Sequence, residues 1–428
     1  MLIEKFLYSV ITDEDSTTLL KVKSSFLVDD EIDYVAFVQD FYATHSKFPD
    51  IATVNAKFGI SLIKNTEPAT HWFDEIYSLY QDGIVEKAIL DGAKSKKDAI
   101  KIFQQAIVDY NTESEVEVLH FNEGTKRAEN YKDRKINKGI TYLSTGRTEL
   151  DEFSLGYKGA DLWTIGGFES VGKTWQLLRM ANWLDLWMFD NGVKRPILII
   201  SGEMTSDELA DRLDAIRCEL SYQRLSNGGL KPMEERKYMN YLKGFESNIV
   251  IVDSFDGMGD IEFFVALYRP GMMFIDGSHL LAPSYDWKDI AQVTARMKKL
   301  TRNNKIPIVN TTHLKAEKGK SNKGGELDDF AYTKGYTRDS DIVGVMFQTD
   351  LMALENKVGV DWVKVRRGNK SRSIWQTDYE NSKTDLVETI SGKELALLKS
   401  GASEDDISAM LGSGEATHDG TKVSTLFP

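Results

Sequence analysis

Residues Gly167 to Thr174, G-F-E-S-V-G-K-T, have the types and spacing of a loop that binds phosphate groups. Glycines let backbone N–H groups curl around an anion, and the start of the next helix adds partial positive charge. Lys173 is expected to reach the outer phosphates of ATP, and Thr174 to offer its hydroxyl to Mg²⁺. The strand-like run D-L-W-T-I precedes the loop and the helical run W-Q-L-L-R-M-A follows it, as the motif requires. The predicted nucleotide contacts are Gly167, Phe168, Glu169, Ser170, Val171, Gly172, Lys173 and Thr174.

Two carboxylates follow apolar runs further along the chain. Asp276 ends M-M-F-I-D, where it is expected to hold Mg²⁺ together with Thr174. Glu203 follows P-I-L-I-I-S-G, and the carboxyl ends of parallel strands are where α/β proteins bind ligands. Glu203 is therefore the candidate base for the attacking water. A carboxylate at the amino end of the helix that begins near T-S-D-E-L is the alternative role for it.

The elements that must position these residues change in character along the chain. Up to about Asn111, apolar residues recur at helical spacing, which predicts a small all-helical domain. Within it, S-K-F-P-D-I predicts a helix end and a new helix start near Pro49 and Asp50. The charged stretch Thr125 to Asn137 predicts a connecting helix, either a solvated linker or a helix that docks on a neighbouring subunit.

After Gly139 short apolar runs alternate with helical segments, which predicts a largely parallel sheet covered on both faces. The runs W-V-K-V-R and I-W-Q-T-D-Y predict a hairpin around Gly368 and Asn369. We expect a helical N-terminal domain at 1–115, a linker helix region at 116–139 and an α/β domain that contains the phosphate loop at 140–388. Residues 389–428 are expected to form a mobile acidic tail.

Composition limits the class of protein. The chain has 428 residues, of which 41% are hydrophobic and 28% charged, so a globular protein is expected. No apolar run approaches the roughly 18 residues that a membrane span needs, and neither a span nor a signal peptide is predicted. The net charge of -13 excludes a protein that coats nucleic acid over its whole surface, so any such contact must come from local basic loops.

Cysteine and histidine usage points to a reducing compartment and to no structural metal. The single cysteine, Cys218, cannot form a disulfide within the chain, and a cytoplasmic location is expected, in the host cell if the source is a phage. The six histidines show no metal-ligand spacing along the sequence. No structural zinc site is therefore predicted.

Several motifs together resemble the DnaB-type replicative DNA helicases, especially the shorter phage versions. The block T-G-R-T-E-L-D-E-F-S-L-G-Y-K-G-A-D-L-W-T-I-G-G, the phosphate loop, S-G-E-M and F-I-D match in order and spacing over roughly Thr145 to Tyr379. A helical front domain and a charged linker also belong to that family's layout. One departure is Phe168-Glu169, where the family commonly has Arg-Pro and where RecA recombinases resemble this chain. The resemblance implies a RecA-like motor domain.

The resemblance also gives meaning to residues that the motifs alone leave open. His313 ends P-I-V-N-T-T-H, where similar phage helicases keep a histidine that senses the terminal phosphate; a satisfied polar group is the alternative. Lys364 and Arg366 lie two residues apart on a predicted strand, and a matching pair in the family reaches the nucleotide of the neighbouring subunit. The glycine-rich segment after His313 is similar to the loops that bind DNA in a ring channel, or is simply a solvated loop. Its candidate contacts are Lys315, Lys318, Lys320 and Lys323.

The expected function is that of a ring-forming, ATP-dependent DNA helicase that moves on single-stranded DNA at a replication fork. The resemblance suggests a hexamer that moves 5′ to 3′, with a primase and a helicase loader as partners. A RecA-type recombinase that forms filaments is an alternative with the same fold. A nucleotide-gated adaptor that does not hydrolyse ATP is a second alternative, from a non-enzymatic class.

Overall fold

The computed structural model describes residues 2–45, 47–111, 124–137, 139–140, 142–314, 334–378, 380–392 and 394. The chain divides into two compact units. The first comprises Met1–Lys135 together with Gly259–Arg269, and the second comprises Ile136–Met258 and Pro270–Pro428. A helix from the middle of the sequence therefore belongs to the first unit, which the order of the motifs did not predict.

The first unit is helical, and its helices α2 and α4 begin at aspartates, Asp15 and Asp50, whose side chains cap them. The Asp50 carboxylate accepts a hydrogen bond from the backbone N–H of Thr53 at 2.7 Å, and Gly59 ends the same helix with φ +67°. The predicted restart near Pro49 and Asp50 is therefore confirmed. The core contains Phe6, Val38 and other apolar side chains from several of its helices. The helices are α1 (Leu2–Thr12), α2 (Ser16–Lys21), α3 (Asp29–His45), α4 (Ile51–Phe58), α5 (Ala69–Lys94), α6 (Ala99–Asn111), α7 (Gly124–Ile136) and α13 (Met258–Tyr268).

The second unit is built on a nine-stranded sheet with the strand order β3-β2-β4-β5-β1-β6-β7-β8-β9. The first six strands in this order are parallel to one another, and β7, β8 and β9 are antiparallel to their neighbours. The strands are β1 (Leu162–Gly167), β2 (Ile197–Ser201), β3 (Ile249–Val252), β4 (Met272–Asp276), β5 (Ile308–His313), β6 (Ile342–Phe347), β7 (Lys357–Val365), β8 (Ser371–Asp378) and β9 (Lys383–Ser391).

Every residue of β1, β2, β4 and β6 is buried, as expected for strands that are covered on both faces. The predicted mostly parallel α/β sheet is thus confirmed. One helix of this unit precedes β1, and the others lie between consecutive strands along the chain. They are α8 (Thr148–Ser154), α9 (Lys173–Asp190), α10 (Ser206–Cys218), α11 (Tyr222–Ser226), α12 (Pro232–Lys243), α14 (Trp287–Asn304), α15 (Lys334–Asp339) and α16 (Asp350–Leu354).

The predicted hairpin around Gly368 and Asn369 is present as β7 and β8. Asp361 of β7 lies opposite Arg372 of β8, and the two buried side chains form a two-pronged ion pair with distances of 2.5 and 2.8 Å. A Cβ atom on Gly368 would lie 1.6 Å from the carbonyl oxygen of Phe153, so only glycine fits there. This hairpin fixes the strand that carries Lys364.

Strand β9 was not predicted from the sequence. It pairs with β8 at the sheet edge, and its exposure alternates along Lys383–Ser391. Because the inward positions include Thr384 and Glu388 as well as Leu386 and Ile390, the apolar alternation that marks a strand is weak. The strand also crosses the boundary at residue 388 that separates the predicted motor domain from the predicted tail.

Cys218 at the end of α10 is buried against Ala215, Leu220 and Leu225. Burial, followed by the negative charge of Asp214, raises the pKa of this thiol to about 11.

Because only the thiolate reacts, the folded protein should react with iodoacetamide at pH 8 at least about 100-fold more slowly than the unfolded chain. Mass spectrometry of the labelled chain measures both rates without ambiguity, since the sequence has one thiol. Equal rates before and after guanidinium denaturation would contradict the burial.

Candidate nucleotide-binding site

The loop between β1 and α9 has the backbone shape of an anion site. Ser170 and Gly172 have φ values of +62° and +94°, and Gly172 precedes α9 without capping it through a side chain. A Cβ atom on Gly167 would lie 2.8 Å from Cγ1 of Val171, so the tight turn requires glycine at this position. The backbone N–H groups at the start of α9 are therefore the groups available to bind phosphate oxygens.

Lys173 is the first residue of α9, and its side chain turns back over the loop. Its Nζ donates to the carbonyl oxygen of Phe168 at 2.8 Å and lies 3.3 Å from Nδ1 of His313. Burial lowers the pKa of Lys173, and the carboxylates of Glu203 and Asp276 partly oppose that shift. A phosphate group would compete with the Phe168 carbonyl for this ammonium group.

Thr174 and Asp276 meet as the sequence predicted. The Thr174 hydroxyl donates to Oδ2 of Asp276 at 2.8 Å. The other oxygen, Oδ1, accepts from the hydroxyl of Thr311 at 2.8 Å, and that hydroxyl in turn accepts from the backbone N–H of Gly277 at 2.9 Å. A hydroxyl beside a carboxylate that is held in place offers the oxygen ligands that Mg²⁺ prefers, so these residues fit that ion.

Glu203 and His313 come together from separate strands. Oε1 of Glu203 lies 3.3 Å from Nε2 of His313, and both side chains are partly exposed. Their approach depends on Gly277, which has φ +72° and where a Cβ atom would lie 2.6 Å from Oε1 of Glu203. In the sheet register Gly167 pairs with His313, which brings the phosphate loop and the histidine to the same edge.

The amino end of α10 is capped without Glu203. The Thr205 hydroxyl accepts from the backbone N–H of Glu208 at 3.3 Å, and Glu208 Oε2 accepts from the backbone N–H of Thr205 at 3.0 Å. The two residues form a reciprocal capping box. The alternative role considered for Glu203 is thus filled by another carboxylate, and Glu203 faces His313.

His279 belongs to the same group of side chains, although no pattern in the sequence selects it. It lies in a short 3₁₀ turn after β4, is 7% exposed, and its ring packs edge-on against the ring of His313 with centroids 4.8 Å apart. Burial, then the nearby His313 and Lys173, lowers the pKa of His279 to about 4. Its spacing from His313 along the chain is too long to suggest a pair, and only neighbouring parallel strands bring the two rings together.

Lys364 and Arg366 lie around the carboxyl end of α15. Nζ of Lys364 donates to the carbonyl oxygens of Thr337 at 2.7 Å and Ser340 at 2.6 Å, and burial lowers the pKa of this ammonium group. Nη1 of Arg366 donates to Oδ1 of Asp341 at 2.9 Å, and its side chain is 68% exposed. Most of the arginine side chain is therefore accessible to another molecule, whereas the lysine is held by backbone carbonyls.

Arg367, the residue after Arg366, contacts the segment that leads into β1. Its guanidinium group forms a two-pronged ion pair with the buried carboxylate of Asp161, with Nη1 at 2.9 Å from Oδ1. Arg367 therefore fixes the start of β1 to the hairpin turn.

The candidate DNA contacts Lys315, Lys318, Lys320 and Lys323 lie outside the described residues. None of the described helices is long and apolar enough to cross a membrane.

A family model and relatives of known function agree on one family for this chain. Residues 142–383 match the family model described as DnaB-like helicase C terminal domain. The replicative DNA helicase DnaC of Bacillus subtilis strain 168 is 23% identical over 311 residues, which is 69% of this chain and 63% of the relative. The replicative DNA helicase DnaB of Helicobacter pylori strain 26695 is 26% identical over 245 residues, which is 53% of this chain and 48% of the relative. The chain thus spans about six-tenths or less of the length of these relatives.

Solved structures support the same fold. A DnaB-like replicative helicase, described with its interactions with primase, superposes with a TM-score of 0.58 at 18% identity and covers 90% of this chain and 99% of its own. A second solved structure, described as an ATPase domain, superposes with a TM-score of 0.53 at 22% identity and covers 62% of this chain and 100% of its own. The predicted RecA-like architecture with a helical N-terminal part is thus confirmed. Residues 142–383 form a nucleotide-binding domain, and the chain belongs to the DnaB-like helicase C-terminal domain family.

Proposed function

We propose that this protein is an ATP-driven replicative DNA helicase that works as a ring, with six subunits as the expected number. It would move along single-stranded DNA and separate the duplex at a replication fork. The observation that carries the proposal is that Lys173, Thr174, Asp276, Glu203 and His313 lie together at the carboxyl edge of neighbouring parallel strands. Membership in the DnaB-like family supports the choice of helicase over other ATPases with this fold.

The phosphate loop and the residues after it would bind Mg²⁺-ATP. Lys173 and the backbone N–H groups at the start of α9 would hold the phosphate oxygens. Thr174 and Asp276 would hold Mg²⁺, which when bound neutralises charge on the phosphates. The hydrogen bond from the Thr311 hydroxyl to Oδ1 would keep the Asp276 carboxylate oriented towards Thr174.

Glu203 and His313 would act beside the terminal phosphate group of ATP. Glu203 would accept the proton of the attacking water, which requires the carboxylate within hydrogen-bond reach of that water. His313 lies within 3.3 Å of both Lys173 and Glu203, so a change at the phosphate would alter its contacts. It would therefore report the state of the nucleotide to the segment that follows β5.

Assembly of the subunits into a ring would complete each nucleotide site and form the surface that binds DNA. Arg366 would reach the nucleotide bound by the adjacent subunit, and Lys364 would do so by exchanging the carbonyl oxygens of Thr337 and Ser340 for phosphate oxygens. Lys315, Lys318, Lys320 and Lys323 would contact the phosphates of single-stranded DNA, which lets an acidic protein bind a polyanion. A primase and a loader are the proposed protein partners, and the similar helicase described with primase supports the first of them.

Unwinding of a forked DNA substrate tests the proposal directly. We expect ATP-dependent strand separation that requires a 5′ single-stranded tail, together with closed rings in electron micrographs. Strand exchange with open filaments would instead favour a recombinase. ATP binding without phosphate release, with single-stranded DNA present, would favour the nucleotide-gated adaptor.

Replacing Lys173 by alanine should lower ATP hydrolysis by at least about 10²- to 10³-fold, because a preorganised charge on the phosphates is lost. Phosphate release by the assembled protein with single-stranded DNA measures the effect. Lys194→Ala removes an exposed lysine that follows α9 and serves as the matched control. If Lys173→Ala hydrolysed ATP at the normal rate, the assignment of the phosphate loop to the active site would be wrong.

A further inference from the structure

Three potential metal ligands meet beside the phosphate loop. Glu203 follows β2, His279 follows β4 and His313 ends β5, and these three strands are adjacent in the sheet. One ligand atom from each side chain lies within 4.8 Å of the other two. We call these three residues the Glu–His–His cluster.

His279 is the unusual member of the cluster. It is 7% exposed, and its Nδ1 is buried without a hydrogen-bond partner among the described residues. Buried polar atoms in folded proteins almost always have a partner, so an unpaired ring nitrogen at this position needs an explanation. A metal ion bound at Nδ1 itself would be such a partner.

The chemistry of the ligands selects the type of ion. Two imidazoles and one carboxylate form a ligand set used by catalytic zinc sites, with an open position left for water. Mg²⁺ prefers oxygen ligands, which the Thr174 and Asp276 pair provides instead. Metal binding uses the neutral form of an imidazole, and His279 and His313 would each supply one ring nitrogen.

We propose that the Glu–His–His cluster binds one divalent transition-metal ion, such as Zn²⁺, when the subunit holds no nucleotide. The bound ion would occupy Glu203 and His313 and so inhibit ATP hydrolysis. The inhibitory consequence depends on the proposed function, whereas the binding of the ion does not. The positive charge of Lys173 should weaken binding of the ion, because its Nζ lies 3.3 Å from Nδ1 of His313 and repels another cation.

Titration of the nucleotide-free protein with Co²⁺, which reports its ligands through visible absorption, tests the site. The protein is used without a polyhistidine tag. We expect one ion per subunit, displaced by Zn²⁺, and a loss of affinity of at least about 100-fold in His279→Gln and in His313→Gln, since even outer-shell changes cost up to about that much. His71→Gln, which alters an exposed histidine of α5, should bind as the parent does. Absence of binding in the parent, or unchanged binding in His279→Gln and His313→Gln, would overturn the assignment.

The Lys173→Ala variant tests the same site through an expected gain of affinity for Co²⁺, where the histidine variants should lose affinity. Removing the ammonium group should strengthen Co²⁺ binding, by about tenfold for a nearby like charge. A fold defect in any variant would weaken binding, so a gain of affinity separates the charge effect from damage to the fold. Binding that stays the same or weakens in Lys173→Ala would place the ion elsewhere.

Inhibition is measured separately from binding. With Mg²⁺-ATP and single-stranded DNA, micromolar Zn²⁺ should slow phosphate release by the parent and by His71→Gln to a similar extent. If Co²⁺ binds as expected while no condition gives hydrolysis, the metal site stands and the helicase proposal fails. If hydrolysis is normal while the parent binds no Co²⁺, the metal site fails and the helicase proposal stands.

Discussion

Replacing Arg366 by alanine is expected to leave ATP binding intact and to lower hydrolysis by the assembled protein by about 10³- to 10⁵-fold. The guanidinium group in this position would stabilise the charge that develops on the phosphates bound by the neighbouring subunit. In the single subunit it contacts Asp341 at 2.9 Å, and most of its side chain is exposed. Fluorescent nucleotide binding and phosphate release, measured on the same preparation, separate the two effects.

The loss should not come from unfolding. Arg366 is mostly exposed, and the buried Asp341 keeps its contacts with Lys298 and with the backbone N–H of Leu162, so its charge stays paired when Arg366 is removed. Arg338→Ala is the matched control, because it removes another exposed arginine from the same region, one that pairs with Asp339. Its hydrolysis rate should stay close to that of the parent protein.

Mixed assemblies show whether Arg366 acts on its own subunit or on the next one. Lys173→Ala subunits have a defective pocket and an intact Arg366, while Arg366→Ala subunits have the reverse. Mixing the two inactive variants should restore part of the hydrolysis, because some interfaces then combine an intact pocket with an intact arginine. A mixture as inactive as its components would reject the assignment across subunits, as would normal turnover in Arg366→Ala alone.

The phosphate site could be predicted from the sequence because its residues obey local rules. Gly167 to Thr174 form one continuous motif, and Asp276 directly follows an apolar strand. A residue at the end of a parallel strand must lie at the carboxyl edge of the sheet, so its approximate place follows without knowledge of its contacts. The strand order then brings Asp276 to Thr174.

The remaining features depend on contacts between distant segments, which a single sequence does not reveal. The pairing of His279 with His313 requires β4 and β5 to be neighbours in a particular register. The ion pair of Arg367 with Asp161 joins residues 206 positions apart. Strand β9 has too mixed a composition to be recognised without β8 beside it. In each case tertiary contacts determine the role of a residue whose local sequence is ordinary.

Glu203→Gln is expected to lower hydrolysis by about 10²- to 10⁴-fold while ATP remains bound, because the amide has nearly the same shape but cannot accept the proton of water. The capping of α10 by Thr205 and Glu208 leaves Glu203 without a structural task there, so the variant should fold normally. Single-turnover hydrolysis and nucleotide affinity, measured together, test this expectation. Tight binding with slow turnover is the predicted combination.

Glu208→Gln provides the control, because it changes a carboxylate on the same segment that caps α10. It should keep its hydrolysis rate, since its Oε2 contacts Thr205 and not the phosphate site, and a glutamine at this position also completes a capping box. Both variants should therefore unfold at nearly the same temperature as the parent, and phosphate release should be slow only in Glu203→Gln. If Glu208→Gln lost hydrolysis and Glu203→Gln did not, the base would have been assigned to the wrong carboxylate, and the 3.3 Å contact of Glu203 with His313 would be structural.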